Sequence, residues 1–330
     1  MRKWLSILVA VMAIAALVAA GCGGSDDNGG GGDTGGGDGD MSAQEIITAS
    51  QKAMDGIQTA AFDMDMKLAI QGDASQMTDP QAQQLLESPI AVKASGKLGN
   101  EPQKLDMTMT ADAMGQAFDL GMKMDGEVIY LQYMGQWYEI PKDMATGITG
   151  ASPAPDADGQ KLTDAYKQLG VDPNAWASGY TNEGEEDVNG VKAYHITQQI
   201  DIDKVAADLS KLAGSASGLG SIVGGEAGTD PEELQKSIDM LKAAVKDVKV
   251  EYWIGVDDSY IYKMQAAAMI DIAALPEEER QGAEGLESMD FSMTLSMSDY
   301  DQDFSVEPPA DAKPFDQLFN DLMQSGGLSL

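Results

Sequence analysis

From residue 62 onward, apolar and polar side chains trade places at almost every step. In "FDMDMKLAIQG", Phe62, Met64, Met66, Leu68 and Ile70 alternate with Asp63, Asp65, Lys67, Ala69 and Gln71. Successive side chains of an extended backbone point to opposite faces, so a period of two predicts a strand with one buried face. The pattern returns along the chain. Ile90, Val92, Ala94 and Leu98 alternate with Lys93, Ser95 and Lys97; Leu105, Met107 and Met109 with Lys104, Asp106 and Thr108; Phe118, Leu120, Met122 and Met124 with Asp119 and Lys123. Asp125-Gly126 is a hairpin signal that leads into "EVIYLQY", and Gly135-Gln136 is read as the turn into "WYEI". Later come "VKAYHITQQI", then "VKVEYWIGV" and "SYIYKMQAAAMIDI" joined through Asp257-Asp258, then "MDFSMTLSM". That makes about ten strands, mostly linked by hairpins, and an antiparallel sheet with one buried face explains the alternation.

The period changes to that of a helix in four places. Ser42 with Glu45 forms a capping box, followed by Ile46, Ile47, Ser50, Ala53, Met54 and Ile57 on one side, with a stop near Gly56. Asp201 to Ala213 carries Ile202, Val205, Leu209 and Leu212 at helical spacing. Asp230 as cap and Pro231 in the first turn open a helix whose stripe is Leu234, Ile238, Leu241 and Val245. Phe315, Leu318, Phe319 and Leu322 predict a short helix near the end. Between two of these, Gly214 to Gly228 is glycine-rich yet carries Leu219, Ile222 and Val223, a composition suited to a flap.

The first forty residues follow neither period. Arg2 and Lys3 precede an apolar stretch from Trp4 to Ala20, the layout of a secretory signal peptide over residues 1–21. The stretch falls short of the roughly 20 residues of a comfortable membrane span. Leu17-Val18-Ala19-Ala20-Gly21-Cys22 resembles the lipobox of bacterial lipoproteins. The resemblance implies that Cys22 is lipidated on sulfur, with acyl chains of the palmitate class, and heads the mature chain. Each buried CH₂ adds about 0.8 kcal/mol to membrane binding, so two or three chains hold firmly. Cys22 is the single cysteine, so no disulfide, thiol catalyst or thiolate metal site remains. Residues 22–40 are then the lipidated cysteine and a Gly/Asp tether of typical span about 20–25 Å, expected to stay disordered. Residues 41–330 are expected to form one domain.

The net charge of −33 becomes −35 once Arg2 and Lys3 are removed, which excludes nucleic acid and anionic headgroups as partners and serves solubility. "DYDQDF" at Asp299 to Phe304 lacks the glycine that a calcium loop requires at its sixth position, so no metal is expected. His195, the single histidine, alternates with Tyr194 and Ile196 and should face away from the apolar side, as a plain strand residue and not a base. With no nucleophile elbow or phosphate loop, the expectation is no enzyme and no cofactor. Methionine is the conspicuous feature. Outside the signal and Met41 the chain has 18, among them Met64, Met66, Met107, Met109, Met122, Met124, Met293 and Met297 on predicted buried strand faces. Flexible, polarizable thioethers line surfaces that accept variable apolar partners, and they also serve as ordinary core beneath helices.

The order of phrases carries a family resemblance: lipobox and tether, a helix, a long meander, "GQWYEI", "NGVKAYHITQQID", then "VEYWIGVDDSYIYKMQ". It resembles the LppX/LprG group of actinobacterial lipoproteins within the LolA-like superfamily, over most of Met41 to Tyr300. The resemblance implies an α+β fold, a strongly curved antiparallel half-barrel with helices on its concave face. It also implies a cavity that holds acylated lipid or a lipidated protein terminus, carried through the envelope without covalent chemistry. The residues expected to line that cavity are Phe62, Met64, Met66, Leu105, Met107, Met109, Phe118, Leu120, Met122, Phe291, Met293 and Leu295. The expected protein is therefore an extracytoplasmic lipoprotein anchored to the membrane through Cys22, which binds and carries a lipid or lipidated ligand. The alternative expectation is a non-transporting envelope sensor or assembly module with a protein partner.

Overall fold

A computed structural model describes residues 41–77, 80–100, 102–113, 115–126, 128–141, 170–213, 231–277, 280 and 285–318. The signal segment, Cys22, the tether, the Gly214–Gly228 segment, the Asp230 cap, Phe319 and Leu322 lie outside them. All ten expected strands are present: β1 Thr59–Gly72, β2 Ile90–Gly99, β3 Lys104–Ala113, β4 Gln116–Asp125, β5 Val128–Tyr133, β6 Gln136–Ile140, β8 Val191–Ile200, β9 Val245–Gly255, β10 Ile261–Asp271 and β11 Leu286–Ser298. Two more, β7 Ala177–Val188 and β12 Lys313–Pro314, bring the described strands to twelve rather than about ten. Their hydrogen-bonded order is β12-β6-β5-β4-β3-β2-β1-β11-β10-β9-β8-β7. The pairs of β2–β6 and of β7–β10 are antiparallel, and β12 runs parallel to β6.

β7 escaped the sequence reading for a physical reason. Its residues "ASGYTNEGEEDV" carry no apolar alternation, because it ends the strand order and pairs only with β8. Exposed Glu183, Glu185, Glu186 and Asp187, with irregularities at Ala177/Gly179 and Asn182/Gly184, discourage a further strand from adding to that edge. β12 has two residues, too few for any period to register.

The helices are α1 Ala43–Met54, α2 Pro80–Glu87, α3 Ile202–Ala213 and α4 Pro231–Ala244. α2 was not expected from the pattern. The capping box of α1 forms as read: the Ser42 amide donates to Glu45 Oε2 at 2.8 Å, and the Glu45 amide donates to Ser42 Oγ at 3.3 Å. Val245, assigned from periodicity to the stripe of α4, instead opens β9, the strand that follows directly. Of the expected C-terminal helix, residues 316–318 are helical, and the remainder lies outside the described residues. Among the described residues, no helix is long and apolar enough to cross a membrane.

The chain divides into two compact units. The first holds α1, β1 from Lys67, α2, β7–β10, α3, α4 and β11 to Thr294. Its core is filled. In register, Ile196 pairs with Tyr252, Gln198 with Val250, and Met264 and Ala266 with those same two positions of β9, and all six are buried. The buried Gln198 is satisfied by the Tyr252 hydroxyl, which donates to its Oε1 at 3.1 Å. α3 packs on α4, and α4 on β10, through buried Val205, Ala206, Ile238, Leu241 and Ala244. The second unit holds β1 to Met66, β2–β6, β11 from Leu295 and β12. Its core cluster is Ile129, Tyr138, Ile140, Phe315 and Leu318.

One buried polar contact fixes the approach to β7. Trp176, fully buried, donates its indole N–H to Asp208 Oδ2 of α3 at 2.8 Å, and Lys211 pairs with the other oxygen at 2.6 Å. Asp208→Ala leaves that N–H without its acceptor and should destabilise the chain by about 1–3 kcal/mol in urea unfolding, whereas Asp208→Asn keeps an acceptor and should lose less.

Candidate functional site: a methionine-rich sheet face

The second unit carries an apolar face that runs across five strands. Across β2, β3, β4, β5 and β6 the partners run Leu98, Leu105, Met124, Ile129, Ile140; then Gly96, Met107, Met122, Leu131, Tyr138; then Ala94, Met109, Leu120, Tyr133, Gln136. Directly opposed residues of an antiparallel pair share a face, with Cβ atoms about 4.5–5.5 Å apart. One side of this ladder is therefore apolar over β2–β5, and on β6 at Tyr138 and Ile140. Met122, Met124, Leu131 and Tyr133 rest against the core cluster, while Leu105, Met107, Met109 and Leu120 are half-buried. Gly96 is required where it stands. A Cβ there would collide with the Asp106 carbonyl oxygen, so only glycine lets β2 lie so close to β3.

The opposite side of the same strands is polar. Asp106 faces Lys123, with Nζ 3.2 Å from Oδ2, and the next positions in that row are Tyr130 and Glu139. Burial first, and then the Glu139 charge, push the Tyr130 hydroxyl above its ordinary value. Trp137 lies over Gly121 on this side, and the Lys123 ammonium sits 5.7 Å from its ring centre. The turn from β5 to β6 is Met134-Gly135, both at positive φ (48° and 80°), one residue earlier than the expected Gly135-Gln136. Two consecutive positive φ values match the right-handed twist of the flanking strands.

The expected cavity residues distribute as follows. Leu105, Met107, Met109, Phe118, Leu120 and Met122 come together on the β3–β4 face. Phe118 is 40% exposed, opposite Ala111, which offers only a methyl group to pack on. Phe62, Met64 and Met66 are half-buried on β1 in the same unit, as is Leu295 on β11. Phe291, 4% exposed, and half-buried Met293 belong to the first unit. Met124, Leu131, Tyr133 and Tyr138 share the face and were absent from the expected set. Alternation in "EVIYLQY" carried the signal, but only the register shows which of its two sides meets Met122.

His195 faces away from Tyr194 and Ile196, as the alternation predicts. It stacks on Trp253 with ring centres 4.4 Å apart, and Lys263 Nζ lies 4.0 Å from the centre of the Trp253 ring. Its Nδ1 is hydrogen-bonded to Glu186 Oε1 at 2.9 Å and its Nε2 to Glu251 Oε1 at 3.0 Å. The Trp253 indole N–H donates to Glu186 Oε2 at 2.8 Å, and Lys249 pairs with Glu251 at 2.8 Å. Both ring nitrogens are thus engaged by carboxylates, and the ring ties β7, β8 and β9 together. Beside this cluster Tyr262, packed on Trp253 and Val188, donates its hydroxyl proton to Asp258 at 2.7 Å. Burial, then that bond, push it up to about 12.

A family of unknown function, DUF6612, has a model that matches residues 42–172. No curated protein matches the chain by sequence. Among solved structures it is similar to the Mycobacterium tuberculosis lipoprotein LppX, at 12% identity and TM-score 0.34 over 79% of this chain and 96% of that one. It is similar to LprF from Mycobacterium bovis, at 12% identity and TM-score 0.36 over 81% and 97%. A third is an outer-membrane lipoprotein-sorting protein domain from Vibrio parahaemolyticus, at 11% identity and TM-score 0.21 over 80% and 94%. LppX is of the group that the sequence phrases resemble.

The carboxylates around His195 set an acid dependence. Bonds from Trp253 and His195 hold Glu186 below its ordinary value of 4.5. Burial pushes Glu251 up, but bonds from Lys249 and His195 outweigh it and the net shift is downward. A depressed folded-state value contributes stability above the unfolded value that is lost as pH falls through the folded one. Thermal melts should therefore show stability decreasing below about pH 4.5, and Glu251→Gln should flatten that decrease.

Proposed function

We propose that this chain is an exported, membrane-anchored lipoprotein that binds a lipid or other acylated ligand on the β3–β5 face and carries it within the cell envelope without covalent chemistry. One observation supports the reading above the others. The in-register side chains Leu105, Met107, Met109, Leu120 and Met122 stay half-buried, while Ile196, Ile254 and Ile270 of the first unit are completely closed off. Apolar surface of this kind gains roughly 2.5 kcal/mol for every 100 Å² that an acyl chain covers. Methionine suits it, because three rotatable bonds let one face fit chains of differing shape. The threonines of β3, Thr108 and Thr110, lie on the other side of the strand, so this face offers a ligand contact and no nucleophile.

The anchor belongs to the same reading. A lipidated Cys22 holds the chain at the membrane, and the tether lets the folded part approach and leave the bilayer surface. Carrying then consists of partitioning: the ligand moves between bilayer and face according to the apolar area each covers.

The two parts have separate tests. Cys22→Ala should abolish incorporation of a fatty-acid analogue in metabolic labelling, and label retained by that variant would remove the anchor. For the face, Met107→Glu or Met122→Glu should weaken binding of a fluorescent acyl probe by about tenfold or more while changing stability little, since a half-exposed carboxylate remains hydrated. A variant that loses several kcal/mol of stability, in a parent that binds no probe, would mark the face as ordinary core. It would leave a protein-binding envelope module in place of the carrier.

A further inference from the structure

The strands β2–β6 are joined by short connections at both ends, and the two ends differ in chemistry. At one end the chain passes through "GNEPQK" and "DGE", both charged. At the other end the β3–β4 and β5–β6 connections lie in "AMGQAF" and "YMGQWY", the same Met-Gly-Gln triplet twice and without a charge. Both connections lie at one end because β3 and β5 are each antiparallel to β4 and so run in the same direction. Ala113 pairs with Gln116 and Tyr133 with Gln136, so each tip is a two-residue loop. Met114 lies outside the described residues, and Gly115 and Gly135 are at positive φ, 72° and 80°. Phe118 stands two residues beyond the Leu120–Tyr133 pair, level with the second loop. Among the described residues Met134 is the most exposed large apolar side chain, at 69%, and Phe118 is 40% exposed. Met134 also stands at φ 48°, a left-handed conformation that costs a residue with a Cβ. Turn chemistry alone favours asparagine there. The methionine is accounted for by what it touches beyond the chain.

We propose that the two Met-Gly tips, with Phe118 beside them, form a docking edge that dips into the surface of an electrically neutral lipid bilayer. The charge asymmetry selects this end. Taking a carboxylate or ammonium out of water is costly, so the charged connections at the opposite end stay in water. The nearest carboxylates set the depth. Asp112 and Asp119 are exposed behind the first tip, where Thr110 Oγ1 donates to Asp119 Oδ1 at 2.9 Å. Asp311, also exposed, lies beside the second tip, and its carbonyl accepts from Gln136 Nε2 at 2.9 Å. These charges hold the edge at the headgroup boundary and disfavour anionic lipid. The edge is continuous with the methionine-rich face. Phe118, Leu120, Met122 and Met124 occupy alternate positions of β4 and so share one side of it. An acyl chain that leaves the bilayer at Phe118 meets apolar side chains at each step toward Met122. Two exposed apolar side chains make a weak contact alone, and membrane anchoring turns it into a frequent one through local concentration. Docking of this kind deepens the carrier reading and rests on it for its purpose.

The experiment uses the full chain in phosphatidylcholine nanodiscs, where the apolar stretch of residues 4–20 holds it whether or not Cys22 is acylated. A small fraction of the lipid carries a nitroxide on its acyl chain, and methyl NMR of methionine, alanine and valine reads proximity to it. The expected result is broadening of the Met134 and Ala117 methyls well above that of Val128, which is itself 42% exposed at the opposite end of the same strands. Met134→Asn keeps a residue suited to positive φ. Combined with Phe118→Ser and confirmed folded by circular dichroism, it should lower the docked fraction, read at Ala117, by about threefold or more. Equal broadening of Met134 and Val128, no broadening at either, or undiminished broadening of Ala117 in the folded double variant would overturn the proposal. So would a Met134 shift that follows protein concentration without lipid, since it would seat a second copy of the chain on the tips. No acyl probe is present, so the two readings fail separately. A quiet Met134 with intact probe binding removes the docking edge alone, and a broadened Met134 in a chain that binds no probe removes the carrier face alone.

Discussion

The register of β3 against β4 and β5 is the constraint on which the rest of the candidate site depends. An antiparallel strand moved by one residue turns every side chain to the other face. Here such a slip would put Asp106, Thr108 and Lys123 where Leu105, Met107 and Met122 now lie. Several local devices hold the register. Gly126 at positive φ closes one hairpin, its amide donating to the Gln103 carbonyl at 2.8 Å, and Met134-Gly135 closes the next. On the polar side the Lys123–Asp106 pair and the Trp137 ring over Gly121 fit only this alignment.

The two units use the same ladder geometry to different ends. In the first, branched side chains such as Ile196, Ile254 and Ile270 are closed off, and Gln198 and Trp176, caught inside, are paired with Tyr252 and Asp208. In the second, methionine replaces branched residues on β3 and β4, and the same positions stay half-open. An unbranched thioether fills space without specifying it, a useful property where the neighbouring surface must change.

Negative charge is concentrated at one edge of the described strands. The edge strand β7 carries Glu183, Glu185, Glu186 and Asp187 in its second half, and its Glu186 is drawn into the His195–Trp253–Lys263 stack. That stack covers an indole that is itself buried with Val188 and Ala193, and sets charged groups over it. The remaining negative charge keeps like molecules apart.

The sequence alone determined the ten long strands, the helix at Ser42 with its capping box, and the outward direction of His195, because periods of 2 and 3.6 and local caps are short-range facts. It also determined the methionine content of the β3 and β4 faces. It could not reveal β7, whose acidic edge carries no alternation, nor that Val245 leaves its helix to begin a strand, since one buried valine satisfies either period. It named Leu105, Met107, Leu120 and Met122 but omitted Met124, Leu131 and Tyr133. Which face of a strand meets which face of its neighbour is set by hairpin register, and only the tertiary structure decided it. Tertiary structure alone also decided how far each apolar side chain is closed off. Burial depends on what packs above the sheet, and that information is spread over residues far apart in the chain.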